Sequence, residues 1–235
     1  MGSWISSLTK SPVCVDNDAN VGALGEAAYG AGAGFNPVFY VTLGSGVGGG
    51  LVVDGSIYHG ALPGEAEIGH VRLDRAGTIL ESRCSGWAVD AKIRAAIVRE
   101  PDGVLARCVG TAKANEAKFL GEAIAQGDSM AKSILEETAE DLAFGLSHVT
   151  HLFHPEVIVL GGGLSLLGEP LRAAVARILP RFTMEVFAPG PGIALARLGE
   201  DAVPVGAFTL AKSMLCGDLP DLCYAFIKNP EWGKM

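Results

Sequence analysis

The chain has 235 residues, of which 49% are hydrophobic and 19% are charged, and its formal net charge is −8 at pH 7. These values are typical of a globular protein with one large or two small domains and a substantial core. Because the sequence has neither a dense run of lysine and arginine nor an apolar run near the ~20 residues of a membrane span, it predicts neither nucleic-acid binding nor membrane insertion.

Strand and helix patterns alternate along the first third of the chain. Apolar runs rich in β-branched and aromatic residues predict the strands, and an alanine-rich stripe with a period near 3.6 predicts a helix between them. The predicted segments are a strand at 12–16, a turn at Asn17 and Asp18, a helix at 19–32, a strand at 37–43, a glycine loop at 44–50, a strand and hairpin at 51–60 and a strand end at 71–74.

The alternation continues through the rest of the chain, and this order of elements predicts an α/β fold. Asp128 is placed to N-cap a long helix, and Pro155 ends that helix. The predicted segments are helices at 85–98, 115–125 and 129–153, a strand at 156–160 leading into a glycine turn at 161–163, a helix at 169–182, a strand at 192–199 and a closing helix at 202–215. Residues 216–235 follow no recognisable pattern.

The five cysteines are an odd number, lie far apart and form no C-x-x-C pair. That pattern is typical neither of a disulfide framework nor of a zinc ribbon, and it favours a reducing cytoplasm. The first residues, MGSWISSLTK, contain no apolar run of signal-peptide length.

The glycine loop fits G-x-G-x-x-G at 44–49, the fingerprint of a dinucleotide-binding turn. Such a turn must lead straight into a helix, because the helix N-terminus holds the pyrophosphate. Here Leu51, Val52 and Val53, followed by an Asp-Gly turn, predict a strand and a hairpin instead. The sequence therefore predicts a hairpin turn and not a nicotinamide-dependent dehydrogenase.

Polar groups cluster at the predicted turns. An aspartate after a strand can take a proton from a hydroxyl, carboxylates and a histidine can hold the hydroxyls of a sugar, and glycine turns let N–H groups approach phosphate oxygens. Together these chemistries favour a sugar kinase. The candidate residues are Asp16, Asn17, Asp18, Glu65, Glu67, His70 and Glu81, with the glycine turns at 44–50 and 161–163.

Four stretches make the sequence resemble the ROK family of bacterial sugar kinases and sugar-responsive repressors, from about residue 13 to residue 212. They are NDAN at 17–20, LGSGVGGGLVVDGSIYHGALPGEAEIGH at 43–70, VIVLGGGLS at 157–165 and VPVGAFTLA at 203–211. The resemblance implies an actin- and hexokinase-like (ribonuclease H-like) fold, with a mixed sheet and flanking helices. It also implies phosphorylation of a hexose with ATP and magnesium, in a manner similar to glucokinase, by a cytoplasmic homodimer.

Carried over residue by residue, the resemblance assigns roles. Asp18 matches the general base that deprotonates the attacking sugar hydroxyl. The residues that match sugar ligands are Asn17, Glu67, His70 and Glu81. The residues that would lie beside the nucleotide are Gly44, Ser45 and Gly46 at the phosphates and Gly161, Gly162 and Gly163 near the adenosine.

The segment after His70 departs from the family pattern. Many ROK proteins bind zinc through this histidine and three cysteines of a C-x-C-G-x-x-G-C run. This chain has GHVRLDRAGTILESRC, in which Cys84 is the single nearby cysteine. Because a tetrahedral zinc site needs four ligands, we expect no zinc here and expect Glu81 to lie on a metal-free loop.

The N-terminal end departs from it as well. A ROK kinase begins with a strand and an Asp-x-Gly-Gly-Thr turn that meets the ATP phosphates and magnesium, and nothing similar precedes Val13. We therefore expect residues 1–12 to be an extension, 13–212 to be a ROK-like domain made mainly of the C-terminal lobe, and 213–235 to be an irregular tail.

Other functions are open on the sequence. The chain could be a kinase-like module that binds a sugar without phosphoryl transfer, or a carbohydrate hydrolase that uses Asp18 with Glu67 or Glu81 as a carboxylate pair. Locally, Asp18 could be a plain helix N-cap, and Glu67 and His70 a structural pair. A metal site at His148, His151 and His154 is less favoured than a role at a helix C-terminus.

Overall fold

The computed structural model describes residues 2–61 and 66–216. A five-stranded sheet forms the centre, with the strand order β3-β2-β1-β4-β5. The strands are β1 (Val38–Leu43), β2 (Val47–Val53), β3 (Ser56–Ile57), β4 (Val157–Gly161) and β5 (Gly192–Leu195). The helices are α1 (Gly2–Thr9), α2 (Asp18–Tyr29), α3 (Glu81–Cys84), α4 (Gly86–Arg99), α5 (Val104–Val109), α6 (Leu120–Ala125), α7 (Ser129–Phe153), α8 (Glu169–Ile178) and α9 (Ala202–Cys216).

The sheet is mixed. β1 and β2 form an antiparallel hairpin in which Leu43 pairs with Val47, so residues 44–46 are the turn. β4 lies parallel to β1 on its other side, and β5 lies parallel to β4. The predicted mixed sheet with flanking helices is confirmed, and the predicted glycine loop is shorter than expected because β2 begins at Val47.

Side chains of the central strands alternate between two cores, because successive residues of a strand point to opposite faces. Phe39, Val41 and Leu43 belong to the larger core, with residues of α4, α7 and α8. Val38 and Tyr40 belong to the smaller core, with residues of α2 and α9. Helices therefore cover both faces of the sheet, and none in the described ranges is long and apolar enough to cross a bilayer.

The glycines of β2 serve packing. A Cβ added at Gly50 would lie 2.7 Å from the Cβ of Ala23 and 2.8 Å from the carbonyl oxygen of Ala19, so a side chain there would push α2 off the sheet. Gly48 meets the Cβ of Ala19 at 3.1 Å in the same way. These glycines let the start of α2 lie directly on the start of β2, which brings the residues before α2 to the β1–β2 turn.

Several sequence predictions of secondary structure are confirmed, and a few are wrong. The long helix begins after Asp128, whose carboxylate accepts the N–H of Ala131 at 2.7 Å, as predicted. Residues 12–16 form no strand, because no neighbouring strand among the described residues offers them a ladder. The strand predicted at 71–74 is reduced to one isolated bridge, between Arg72 and Ile79. Helices α1, α3 and α5 were not predicted, and Glu81, which was expected on a loop, begins α3.

Candidate functional site

The two glycine turns meet at the carboxyl ends of the adjacent parallel strands β1 and β4. Gly162 has a φ of +78°, and a Cβ added there would lie 2.6 Å from the backbone nitrogen of Leu43, the last residue of β1. Only glycine fits this backbone conformation and this close approach. The turn after β4 is thereby pressed against the start of the β1–β2 turn, and the carboxyl ends of parallel strands are the usual ligand-binding edge of an open α/β sheet.

The β1–β2 turn presents backbone donors. The N–H of Gly44 donates to the carbonyl of Gly46 at 2.9 Å, so it is used within the turn. Within the described ranges, no acceptor lies within hydrogen-bonding distance of the N–H groups of Ser45 and Gly46. Ser45 is exposed. Free N–H groups on a glycine-rich turn are suited to phosphate oxygens.

Glu81 is fastened to this turn. Its Oε2 accepts the N–H of Val47 at 2.9 Å, and a Cβ added at Gly46 would lie 2.6 Å from the same oxygen. The start of α4 is joined to the turn as well, since the N–H of Gly86 donates to the carbonyl of Gly44 at 2.7 Å. The short helix α3 thus holds the carboxylate of Glu81 beside the turn, and its Oε1 makes no hydrogen bond to any described residue.

Asn17 and Asp18 form the N-terminal end of α2. Asn17 is the N-cap, and its Oδ1 accepts the N–H groups of Ala19 at 2.8 Å and Asn20 at 3.4 Å. Asp18 is exposed and uses Oδ1 for the N–H of Ala19 at 2.9 Å. The capping function therefore lies mainly with Asn17. The Oδ2 of Asp18 has no hydrogen-bond partner in the part of the chain that the structure describes.

Glu67 precedes the 3₁₀ turn Ile68–His70, and His70 is its last residue. The turn lies against the start of β2. Ile68 is buried, and a Cβ at Gly69 would collide with the carbonyl oxygen of Val47. Both Glu67 and His70 are exposed, and among the described residues their side chains hydrogen-bond neither to each other nor to a third group. Glu65 lies outside the described residues.

The candidate residues are thus tied to one short region, residues 43–48. Ala19, next to Asp18, packs on Gly48, and the turn that carries His70 packs on Val47. Glu81 binds the N–H of Val47. Carboxylates, a histidine and backbone N–H groups that make no hydrogen bond within the described ranges therefore lie around the same turn.

Asp16 and His59 form a contact that the sequence did not reveal. The Nε2 of His59 lies 2.6 Å from the Oδ2 of Asp16, and their side chains are 11% and 6% exposed. Burial raises the pKa of Asp16, but hydrogen bonds from His59 and Asn20 outweigh it and hold the pKa below its ordinary value. Asp16 was a candidate from its place in the turn. His59 was not a candidate, and its signal in the sequence was a polar ring two residues after β3.

Residues 71–84, the segment that binds zinc in many ROK proteins, contain a turn that is held by hydrogen bonds. The N–H of Leu73 donates to the carbonyl of Thr78 at 2.8 Å, and the carboxylate of Asp74 accepts the N–H groups of Gly77 and Thr78. The thiol of Cys84 is fully buried, and burial raises its pKa to about 12. Since cysteine binds zinc as a thiolate, the buried Cys84 does not fit a zinc ligand, and the absence of zinc stays a prediction.

The three histidines of α7 have separate surroundings. His148 packs edge-on against Phe144, and the Nε2 of His151 accepts the N–H of Met184 at 3.1 Å. His154 is the C-cap of α7, with a φ of +44°, and its ring packs on Phe187. The three are packing and capping residues at the end of a helix.

Comparison with known proteins identifies the family of the chain. Residues 2–214 match the sequence profile of the ROK family. The chain belongs to the ROK family. It is 33% identical over 213 residues to a glucokinase of Halalkalibacterium halodurans, covering 87% of this chain and 64% of that protein. It is 33% identical over 228 residues to a glucokinase of Thermotoga maritima, covering 91% of this chain and 70% of that one.

The fold of this ROK protein is found in solved structures. The ROK glucokinase of Streptomyces griseus in complex with glucose and AMPPNP matches with a TM-score of 0.79 and 30% identity, over 90% of this chain and 72% of that one. The predicted actin- and hexokinase-like fold is confirmed. The chain spans about two thirds of the length of these ROK glucokinases.

Proposed function

We propose that this ROK protein phosphorylates a hexose at the expense of ATP, with Asp18 as the general base. One observation carries the proposal: the base-bearing end of α2, the turn of Glu67 and His70, Glu81 and two glycine turns are all tied to residues 43–48. The proposal draws further support from the glucokinases among its relatives.

Asp18 has the geometry that proton removal needs. Its carboxylate is exposed, and its Oδ2, which bonds to no described residue, could accept a hydroxyl proton. The N-cap of Asn17 fixes the backbone on which Asp18 is mounted. A carboxylate so placed would take the proton of the attacking sugar hydroxyl as that oxygen bonds to phosphorus.

The groups proposed to hold the sugar offer both donors and acceptors. The Oδ1 of Asn17 is engaged in capping, so its amide NH₂ is the part left to donate to a hydroxyl. Glu81 keeps Oε1 as an acceptor, while Val47 fixes its orientation through Oε2. Glu67 and His70 are exposed on a turn with a buried anchor at Ile68. A carboxylate and an imidazole there could bind two neighbouring hydroxyls.

The nucleotide is proposed to bind at the β1–β2 turn and at the glycine turn after β4. Ser45 and Gly46 would donate backbone N–H groups to phosphate oxygens, and Gly44 would leave room for them, since a Cβ there meets nothing within 4 Å. Gly161, Gly162 and Gly163 would lie near the adenosine, and Gly163 is open in the same way. Bound ATP with magnesium supplies the phosphoryl group and neutralises the charge that develops on it.

A coupled assay of ADP release over a panel of hexoses tests the proposal. Glucose is the first sugar to try, because relatives are glucokinases. Turnover with at least one hexose, dependent on ATP and magnesium, is the expected result. An Asp102→Asn variant, at an exposed turn position remote from residues 43–48, should retain wild-type rates. The proposal fails if no hexose supports ADP release.

A second candidate is sugar binding without phosphoryl transfer. It is favoured by the repressors among the relatives of this chain, which include a xylose repressor of Caldicellulosiruptor bescii that is 25% identical over 212 residues. Because phosphoryl transfer depends on positioning and on neutralised charge, a site can keep its sugar contacts and still lack turnover. Calorimetry separates the two: heat of sugar binding without ADP release identifies the binding module.

Three further points stay predictions. Hydrolysis by a carboxylate pair is less well supported than kinase activity, because one oxygen of Glu81 is already bound to Val47. Assembly as a homodimer can be checked by sedimentation. A cytoplasmic location can be checked by cell fractionation.

A further inference from the structure

The carboxylate of Asp16 binds three donors from three segments. Oδ2 lies 2.6 Å from the Nε2 of His59, which follows β3. Oδ1 accepts the N–H of Asn17 at 2.7 Å and the amide NH₂ of Asn20, in the first turn of α2, at 3.0 Å. Both Asp16 and His59 are nearly buried, so neither side chain offers a free surface to a substrate.

The chain before Asn17 lies outside the regular elements. Residues 12–17 belong to no strand or helix, so no ladder holds them in place. The contacts of Asp16 fix the end of this segment, because they join it to α2 on one side and to residues beyond β3 on the other. The carboxylate of Asp16 is ionised at neutral pH, as its hydrogen bonds hold its pKa below the ordinary acidic value, and the charge strengthens each of those bonds.

We propose that Asp16 and His59 are a positioning pair that orients Asn17 and Asp18 for proton removal. The pair acts through the backbone of the turn and touches no reacting atom. It also joins the base-bearing turn to the segment after β3, which leads on to the turn of Glu67 and His70. The inference rests on the proposed kinase function for its effect on rate, but not for its effect on the turn itself.

Three variants test the pair. His59→Ala removes the donor, His59→Gln keeps an amide donor near the position of Nε2, and Asp16→Asn keeps the shape of the carboxylate without its charge. His151→Ala is the matched control, since His151 is exposed at the far end of α7 and lies outside the site. Circular dichroism and thermal unfolding confirm that each variant is folded before rates are compared.

Loss of the pair should lower kcat and leave the KM for ATP nearly unchanged. His59→Ala should lower kcat by about 10–100-fold, the cost of misplacing a reacting group by a fraction of an ångström to an ångström, and leave the KM for ATP within about 2-fold. His59→Gln should recover most of the rate. A pair that only supported the fold would lower the melting temperature and leave kcat unchanged, which would overturn the proposal.

Amide hydrogen exchange gives a readout that needs no turnover. The N–H groups of Ala19 and Asn20, which the Asn17 side chain caps, should exchange at least about 10-fold faster in His59→Ala than in wild type, as expected for local loosening. Amides in the middle of α7 should not change. If wild type shows no turnover, the proposed function fails and exchange alone decides: unchanged protection of Ala19 and Asn20 overturns the pair, and faster exchange supports it.

Discussion

The carboxylate of Glu81 accepts the backbone N–H of Val47 at 2.9 Å, across 34 residues of sequence. Val47 is the first residue of β2 and is buried, so its N–H has no ready access to water. The contact fixes both partners: it satisfies a buried donor, and it holds a carboxylate at the rim of the β1–β2 turn.

Replacing Glu81 should separate its two roles. Glu81→Ala leaves the N–H of Val47 without an acceptor, so the free energy of unfolding should fall by about 1–3 kcal/mol. Glu81→Gln keeps an acceptor oxygen and should lose less stability, while both variants should bind the sugar more weakly because the charge is gone. Urea unfolding and sugar titration by calorimetry measure the two effects. Equal stability of the Ala variant and wild type would contradict the structural role.

A side chain at Gly46 should disturb the site more than the fold. A Cβ there meets Oε2 of Glu81 at 2.6 Å, and the end of a flexible side chain can move away. Because the displaced oxygen is the acceptor of the Val47 N–H, Gly46→Ala should cost some stability, but less than Glu81→Ala, and should raise the KM for sugar several-fold. Gly121→Ala is the matched control, since its Cβ would make an ordinary contact of 3.7 Å with Leu167. The explanation is wrong if both variants have the same KM.

A side chain at Gly162, in contrast, should destabilise the fold. A Cβ there would lie 2.6 Å from the nitrogen and 2.7 Å from the carbonyl carbon of Leu43, and the φ of +78° adds strain for any other residue. Backbone atoms inside a sheet cannot shift to make room. Gly162→Ala should lower the free energy of unfolding by about 2–4 kcal/mol, measured from the urea midpoint. Gly163→Ala, with open space around its Cβ, should unfold at the wild-type midpoint.

The expected absence of zinc can be tested with a chelator, and the burial of Cys84 can be tested with alkali. Since Cys84 is buried as a thiol with its pKa raised to about 12, treatment with EDTA and addition of zinc should both leave the melting temperature unchanged. The sign of its alkaline effect follows from linkage: an unfolded chain loses the thiol proton near pH 9, before the folded chain does. Wild-type stability should therefore fall between about pH 9 and pH 12. A Cys84→Ala variant should lack this part of the alkaline fall, and a chelator-induced drop in melting temperature would contradict the account.

Much of the fold could be predicted from local patterns. β1 and β4 are apolar runs of strand length, and α7 carries a long apolar stripe behind an aspartate cap, so each pattern has one clear solution. Residues 12–16 have the same kind of pattern but form no strand. A strand needs a second strand to pair with, and the local sequence does not show whether one lies beside it. The glycines at 44–50 posed a similar problem. Gly44 and Gly46 form the β1–β2 turn, whereas Gly48 and Gly50 leave room for α2 to pack on β2. The sequence does not show which helix packs there, so it could not separate these two functions of the glycines.

The candidate site was accessible mainly through its motifs. Asn17, Asp18, Glu67, His70 and Glu81 could be named from the resemblance, and the structure gathers the segments that carry them around residues 43–48. His59 was missed because its partner Asp16 is 43 residues away in the sequence and nothing in a local window marks the pair. The capping role of Asn17, in place of Asp18, depends on backbone angles that composition does not reveal.

The rate of Asp18→Asn tests the central claim most directly. The substitution keeps the size of the side chain and an oxygen for the N–H of Ala19, but it removes the base. With the best hexose and saturating ATP and magnesium, kcat should fall by about 10²–10⁴-fold while the dissociation constant for the sugar changes little. If Asp18→Asn turns over within a few-fold of wild type, then Asp18 is not the base, and the function assigned to this end of the sheet is wrong.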